Sequence, residues 1–209
     1  IMKRIFLTFL LTTVCYYSQS QNLNISGNTE PQSIFKVSIN GKTYDVSEND
    51  ELKLDTLILN PTISIKLSDY KIFETSAISF EYPRHLSYEF EQDFGFKNWT
   101  FSGNNMVILV FEIDAETTLT SLINEMVKKF GKKNCVIEDF QKKLGHKMLD
   151  GKKLFVSLVG QNLVLECYEI KLNDFKSRFI YFQDTLDENK HSNEYEKGLS
   201  MINSTIIFK

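Results

Sequence analysis

Met106-Val107-Ile108-Leu109-Val110-Phe111-Glu112-Ile113 is the stretch on which the fold turns, because seven of its eight residues are apolar. A run of this length with no polar alternation marks a strand buried on both faces, and we read it as the central strand. Immediately downstream, Leu119, Leu122, Ile123, Met126, Val127 and Phe130 recur at helical spacing. Asp114 and Glu116 precede the first turn, Lys128 and Lys129 occupy the last, and Gly131 follows. Each signal agrees with the helix dipole and with a glycine stop, so the spacing predicts a helix with one apolar stripe.

Beyond this pair, Cys135 to Phe140, Leu144 to Leu149, Lys153 to Val159, Leu163 to Leu172 and Arg178 to Gln183 read as successive strands. Asp150-Gly151 and Gly160-Gln161 supply tight turns between them. Ser192 is placed to cap a closing helix whose Tyr195, Leu199 and Ile202 share one face, before the apolar end Ile206-Ile207-Phe208. Toward the N-terminus, Ile34 to Ile39 and Thr43 to Ser47 flank Asn40-Gly41, a pair suited to the positive φ angles of a type I′ hairpin turn. Leu52 to Leu59, Thr62 to Leu67 and Ile72 to Tyr82 continue as β-rich segments broken by Asn60-Pro61 and Ser68-Asp69.

The expected class is therefore α+β: a mostly antiparallel sheet with two main helices packed on it, preceded by a small β-meander. The expected organisation is a signal peptide over residues 1–20, a flexible leader over 21–33, the meander over 34–77 and the α+β unit over 78–209. Phe80-Glu81-Tyr82-Pro83, the Tyr168-Glu169-Ile170 strand, the Arg178-Phe179-Ile180-Tyr181-Phe182 strand and the Tyr195-Glu196-Lys197 helix with Ser204-Thr205-Ile206 resemble the PsbP-like α/β/α sandwich. The resemblance covers residues 78–209 and implies a protein-binding or assembly module without catalytic residues. No metal-binding position of that family matches here residue by residue.

Lys3 and Arg4, the apolar run Ile5 to Val14, and the small residues Ser18 and Ser20 read as a Sec signal peptide cleaved before Gln21. The run is about half the ~20 residues that span a bilayer, which argues against a permanent membrane anchor. A lipoprotein reading would need cleavage before Cys15, where Val14 is bulkier than such a site prefers. The signal, with a Lys-, Asn-, Ile- and Phe-rich chain behind it, is similar in style to secreted proteins of Bacteroidota. The expected location is thus exported, periplasmic or extracellular. Twenty-seven aromatic residues in 209 supply enough large apolar side chains for a core without metal or disulfide staples. Without residues 1–20 the chain holds 22 basic and 27 acidic side chains, a net charge of −5 that weighs against a nucleic-acid partner.

Removal of the signal leaves Cys135 and Cys167, which an oxidising compartment could bridge. The competing reading makes both small buried hydrophobes, since Cys167 alternates in step with Leu163 and Leu165. Gly41-Lys42-Thr43 ends like a phosphate loop, but the first glycine of that motif would fall at Lys36 and a strand follows where a helix is needed. Asp187, His191 and Glu194 lie in one acidic run that could hold a divalent cation. However, Ser192 and Gly198 occupy the Gly and Glu positions of a calcium loop, and a capped helix start explains the same residues. No metal and no cofactor are therefore expected.

Tyr88, Phe90, Phe94, Phe96 and Trp99 fall within twelve residues, interleaved with Glu89, Glu91, Gln92 and Asp93. Acids between the rings exclude a nucleic-acid stacking platform, which needs Lys and Arg there. The segment reads either as core packing or as an aromatic edge for a partner protein or apolar ligand. His85, His146 and His191 stand in no zinc or nucleophile-elbow motif. The expected function is accordingly a non-enzymatic binding or assembly protein, with a small hydrolase built on a dispersed Ser-His-acid site as the alternative.

Overall fold

The computed structural model describes residues 29–172 and 174–209. The expected signal peptide over residues 1–20 and residues 21–28 of the expected leader lie outside the described residues. Three antiparallel sheets are built from thirteen strands among these residues, against two helices of 12 and 13 residues, so the molecule is dominated by sheet.

The N-terminal sheet holds β1 (Ile34–Ile39), β2 (Lys42–Ser47) and β3 (Ile63–Leu67) in the order β2-β1-β3. Asn40 and Gly41 adopt φ of 50° and 84° at the β1–β2 turn, as their residue types predict. The expected meander is corrected here: β3 returns to the far side of β1, and Leu52 to Leu59 forms no strand. That segment has no partner strand among the described residues, and Leu54, Leu57 and Leu59 are exposed. The next strand pairing crosses the expected boundary at 77/78. β4 (Tyr70–Glu74) pairs with β5 (Ile78–Pro83), and its Phe73 is buried in the principal core. Thr75 shapes the turn between them, its Oγ1 accepting from the amides of Ala77 and Ile78 at 3.2 Å each.

The central sheet has the order β6-β7-β8-β12-β11-β10-β9. Its members are β6 (Ser87–Asp93), β7 (Phe96–Ser102), β8 (Met106–Ile113), β9 (Cys135–Leu144), β10 (Lys147–Leu158), β11 (Gln161–Glu169) and β12 (Ser177–Thr185). β8 lies inside this sheet and alternates between two cores. Leu109 and Phe111 join Leu154, Leu165, Cys167, Phe179 and Tyr181 on one face. Helix α1 (Leu119–Phe130) closes that face with Leu119, Ile123, Met126 and Phe130, each worth about 2 kcal/mol of burial. Thr118 caps α1, its hydroxyl accepting from the Ser121 amide at 3.1 Å, and Gly131 ends it at φ 85°.

On the opposite face Met106, Ile108 and Val110 pack with Trp99, Phe101, Ile180 and Phe182. The cover there is shared by the small sheet β13-β5-β4 and helix α2 (Asn193–Thr205), which lies mainly against β5. β13 (Ile207–Phe208) completes this layer by pairing with β5.

Two sequence expectations fail inside the sheet. Asp150-Gly151 is no turn but the interior of β10, opposite Gln141 and Phe140. The glycine serves close approach, since a Cβ there would meet the Phe140 ring at 2.8 Å and the Cys167 carbonyl at 3.0 Å. The hairpin instead turns at Gly145-His146, with Gly145 at φ 59°. Cys135 and Cys167 are both free. β10 separates their strands, and Cys135 pairs with Val156 whereas Cys167 pairs with Lys152. Standard strand spacings put their Cα atoms roughly 16 Å apart, far beyond the ~7 Å limit of a disulfide. The bridge expected as one alternative is thus excluded by register.

Candidate functional site

The aromatic segment forms the β6–β7 hairpin, and the sheet divides its five rings. Tyr88, Phe90 and Trp99 lie on the face covered by the small sheet, Tyr88 5.6 Å from Phe101 and Phe90 5.4 Å from Trp99 between ring centroids. Phe96 lies on the α1 face, 5.8 Å from Phe111. Phe94 sits in the turn and is fully exposed. Trp99 is buried, while Tyr88, Phe90 and Phe96 are half-buried. Period-two alternation explains the division, because residues of one strand point to opposite faces. Among the described residues β6 pairs only with β7, so Tyr88 and Phe90 line an outer edge of the sheet, alternating with exposed Glu89 and Glu91.

The three histidines go to different places. His191 Nδ1 is 2.8 Å from Asp184 Oδ2, and its ring stacks on Tyr195 at 4.7 Å. Asp184 is fully buried and also accepts from the Ser192 amide at 2.9 Å and the Ser192 hydroxyl at 2.7 Å. Ser192 Oγ in turn caps α2 by accepting from the Tyr195 amide. The serine therefore shares the acid with the histidine and does not face the imidazole, whereas a nucleophile must bond to the base itself. His85 Nε2 is 2.9 Å from Glu194 Oε1. His146 lies with its ring 6.2 Å from Phe208. Among the described residues no histidine has a Ser or Cys as hydrogen-bond partner.

Asp187, His191 and Glu194 do not converge. Asp187 closes a turn with Lys190, and Glu194 reaches across to the β7–β8 turn. There its carboxylate accepts from the amides of Asn104, Asn105 and Met106 at 3.1, 2.5 and 3.0 Å. Burial pushes this carboxyl up, but the three amides and His85 outweigh it and hold the pKa below the ordinary value. No group of three or more His, Cys, Asp or Glu among the described residues is arranged to hold a metal ion.

A second buried acid escapes sequence reasoning. Glu166, on β11, is buried between Lys142 at 2.8 Å and Lys153 at 3.1 Å and accepts from the Tyr168 hydroxyl at 3.0 Å. Burial raises its pKa, the two ammonium groups lower it further, and the net direction is down. A signal was present: an acid inside the apolar run Leu163-Val164-Leu165-Glu166-Cys167-Tyr168 requires a partner. Glu112 is a similar case, paired with Arg178 Nε at 2.9 Å, while Arg178 makes a two-pronged contact with Asp174 at 2.8 Å.

No family model and no curated protein matches this chain. A crystal structure of a protein from Bacteroides thetaiotaomicron, solved at 1.50 Å resolution, aligns with a TM-score of 0.42 at 12% identity. The alignment covers 68% of this chain and 49% of that one, so the chain spans about half the length of the protein it matches.

Proposed function

We propose that the chain is an exported, non-enzymatic binding or assembly protein, an α+β sandwich of the PsbP-like kind that acts through a protein or apolar-ligand interface. One observation carries the reading. The outer strand β6 alternates half-buried Tyr88 and Phe90 with exposed Glu89 and Glu91, and the adjoining turn holds the Phe94 ring wholly in solvent. Large aromatic rings give up little side-chain entropy on contact, and an unsheltered one at a hairpin tip gains the most from being covered. The chemistry at the histidines favours support over turnover, because each acid that holds an imidazole also anchors backbone amides.

The test compares the chain beginning at Gln21 with a Tyr88→Ala, Phe90→Ala, Phe94→Ala variant. Immobilised protein is expected to retain a partner from the native exported fraction that the variant releases, with both proteins melting cooperatively. Reproducible turnover in an esterase, peptidase or glycosidase panel that disappears in a His191→Ala protein would replace this reading with a hydrolase.

A further inference from the structure

The sheet has a second outer strand, and its surroundings differ from those of β6. Among the described residues β9 pairs with β10 alone, leaving one side of its main chain outside the ladder, where only the Cys135 amide is engaged, donating to the Lys132 carbonyl at the strand's start. Proteins commonly guard such an edge with charge, because unpaired amides and carbonyls will accept another strand. β9 is guarded over most of its length by Glu138, Asp139, Lys142 and Lys143. Its first three residues, Cys135-Val136-Ile137, carry no charge, and Val136 is 60% and Ile137 42% exposed.

Beside this unguarded third a groove of about 710 Å³ opens between the strand and α1. Cys135 and Ile137 pair with Val156 and Leu154 and so point to the face that α1 covers. Leu122 and Val127 supply the facing apolar wall. Lys128 and Lys132 line the end where α1 stops and β9 starts, with Lys129 and Lys133 next to them in sequence. The acid of the lining, Glu125, is already paired with Lys128 at 2.5 Å. Two lysines against one acid leave the lining at +1 on a chain whose net charge is −3.

We propose that this groove binds an extended peptide as an eighth strand beside β9, the peptide presenting an acidic and a small apolar side chain two residues apart. Main-chain bonds to the free edge supply affinity, and side chains on alternate positions supply specificity. Because residues i and i+2 of a strand share a face, the apolar one meets Leu122, Val127 and Ile137 while the acidic one reaches Lys128 and Lys132. The site is separate from the aromatic β6 edge, and its failure would leave the reading above untouched.

The probe is a short acetylated, fluorescently labelled peptide alternating Ser with Val and Glu; controls replace Glu by Lys or interrupt the peptide with Pro. Saturable anisotropy with the acidic peptide is expected, weakened about tenfold or more for either control. A Lys128→Gln, Lys132→Gln variant should lose a similar factor while still unfolding cooperatively, since both side chains are exposed, whereas the Tyr88→Ala, Phe90→Ala, Phe94→Ala variant should bind normally. Cys135 is a native reporter: bound peptide should protect it from iodoacetamide, with buried Cys167 unreactive throughout. Equal binding of the Lys peptide, or binding that leaves Cys135 labelling unchanged, would overturn the proposal. So would a chain that self-associates with Cys135 protected when no peptide is present, since a second copy would then be the occupant.

Discussion

Val159 is held at φ 48° in the two-residue turn between β10 and β11, followed by Gly160 at φ 76°. A β-branched side chain is strained in this left-handed region, which Asn and Gly enter readily. The residue is 88% exposed, so its side chain buries little that could compensate. Val159→Asn should therefore stabilise the protein by about 1 kcal/mol, seen as a higher denaturation midpoint at unchanged slope. A lower midpoint would show that the valine makes contacts the turn geometry does not account for. Gly151 makes the opposite point about glycine. Asp-Gly reads as a turn, yet this residue sits in mid-strand because Phe140 crosses where a Cβ would be. Sequence offers the dipeptide but not the neighbour, and the neighbour decides.

At the scale of elements, periodicity was most informative where burial was one-sided or complete. The Met106–Ile113 run and the α1 stripe are found as strand and helix because their patterns follow from covered faces. Ser192 caps α2 for the same local reason, a short side-chain acceptor at the right position. Partnering was not legible: nothing in Thr62 to Leu67 says that it will cross to the far side of β1, and nothing in Tyr70–Glu74 assigns it to β5. The candidate site was legible as a cluster of rings but not in its division between faces, nor in the ties of Glu166 and Asp184 to distant side chains. α2 is bound to the rest at both ends, by Asp184 to Ser192 at its start and by β13 to β5 after its end, with Tyr195 and Ile202 buried between. Truncation after Asp187 removes all of these and uncovers Phe80, Tyr82 and Phe182, so it should abolish cooperative unfolding. A truncated chain with a sharp melting transition near that of the full chain would make α2 an ornament.

For the whole molecule, covering both faces of one sheet leaves buried ionisable groups whose effects on stability have opposite pH signs. Glu166 and Glu194 have native pKa values below the ordinary 4.5, so their stabilisation is complete above that value and is lost as pH falls through the lowered one. Glu81 acts in the opposite direction, its carboxyl raised mainly by burial, and offsets a little of this loss. At the alkaline end, burial raises Tyr82, Tyr168, Tyr181 and Tyr195 above the ordinary 10, and Cys167 above the ordinary 9. The native state keeps these protons while the unfolded chain gives them up, so stability falls as pH rises past about 9 to 10, by up to about 1.4 kcal/mol per pH unit for each group. Lys176, raised by Asp114 and Glu112, adds to the same limb above its ordinary 10.5. More groups act on the alkaline side, so melting temperature should be level between pH of about 5 and 9 and should fall more steeply above that range than below it. Tyr181→Phe should flatten the alkaline limb and leave the acid limb in place, because it deletes a proton that only the unfolded chain releases. Ultraviolet titration of tyrosinate should show these four tyrosines ionising together with unfolding. Free titration of all of them in a still-folded protein, or a Tyr181→Phe profile identical to that of the parent, would mean that the interior is open to water.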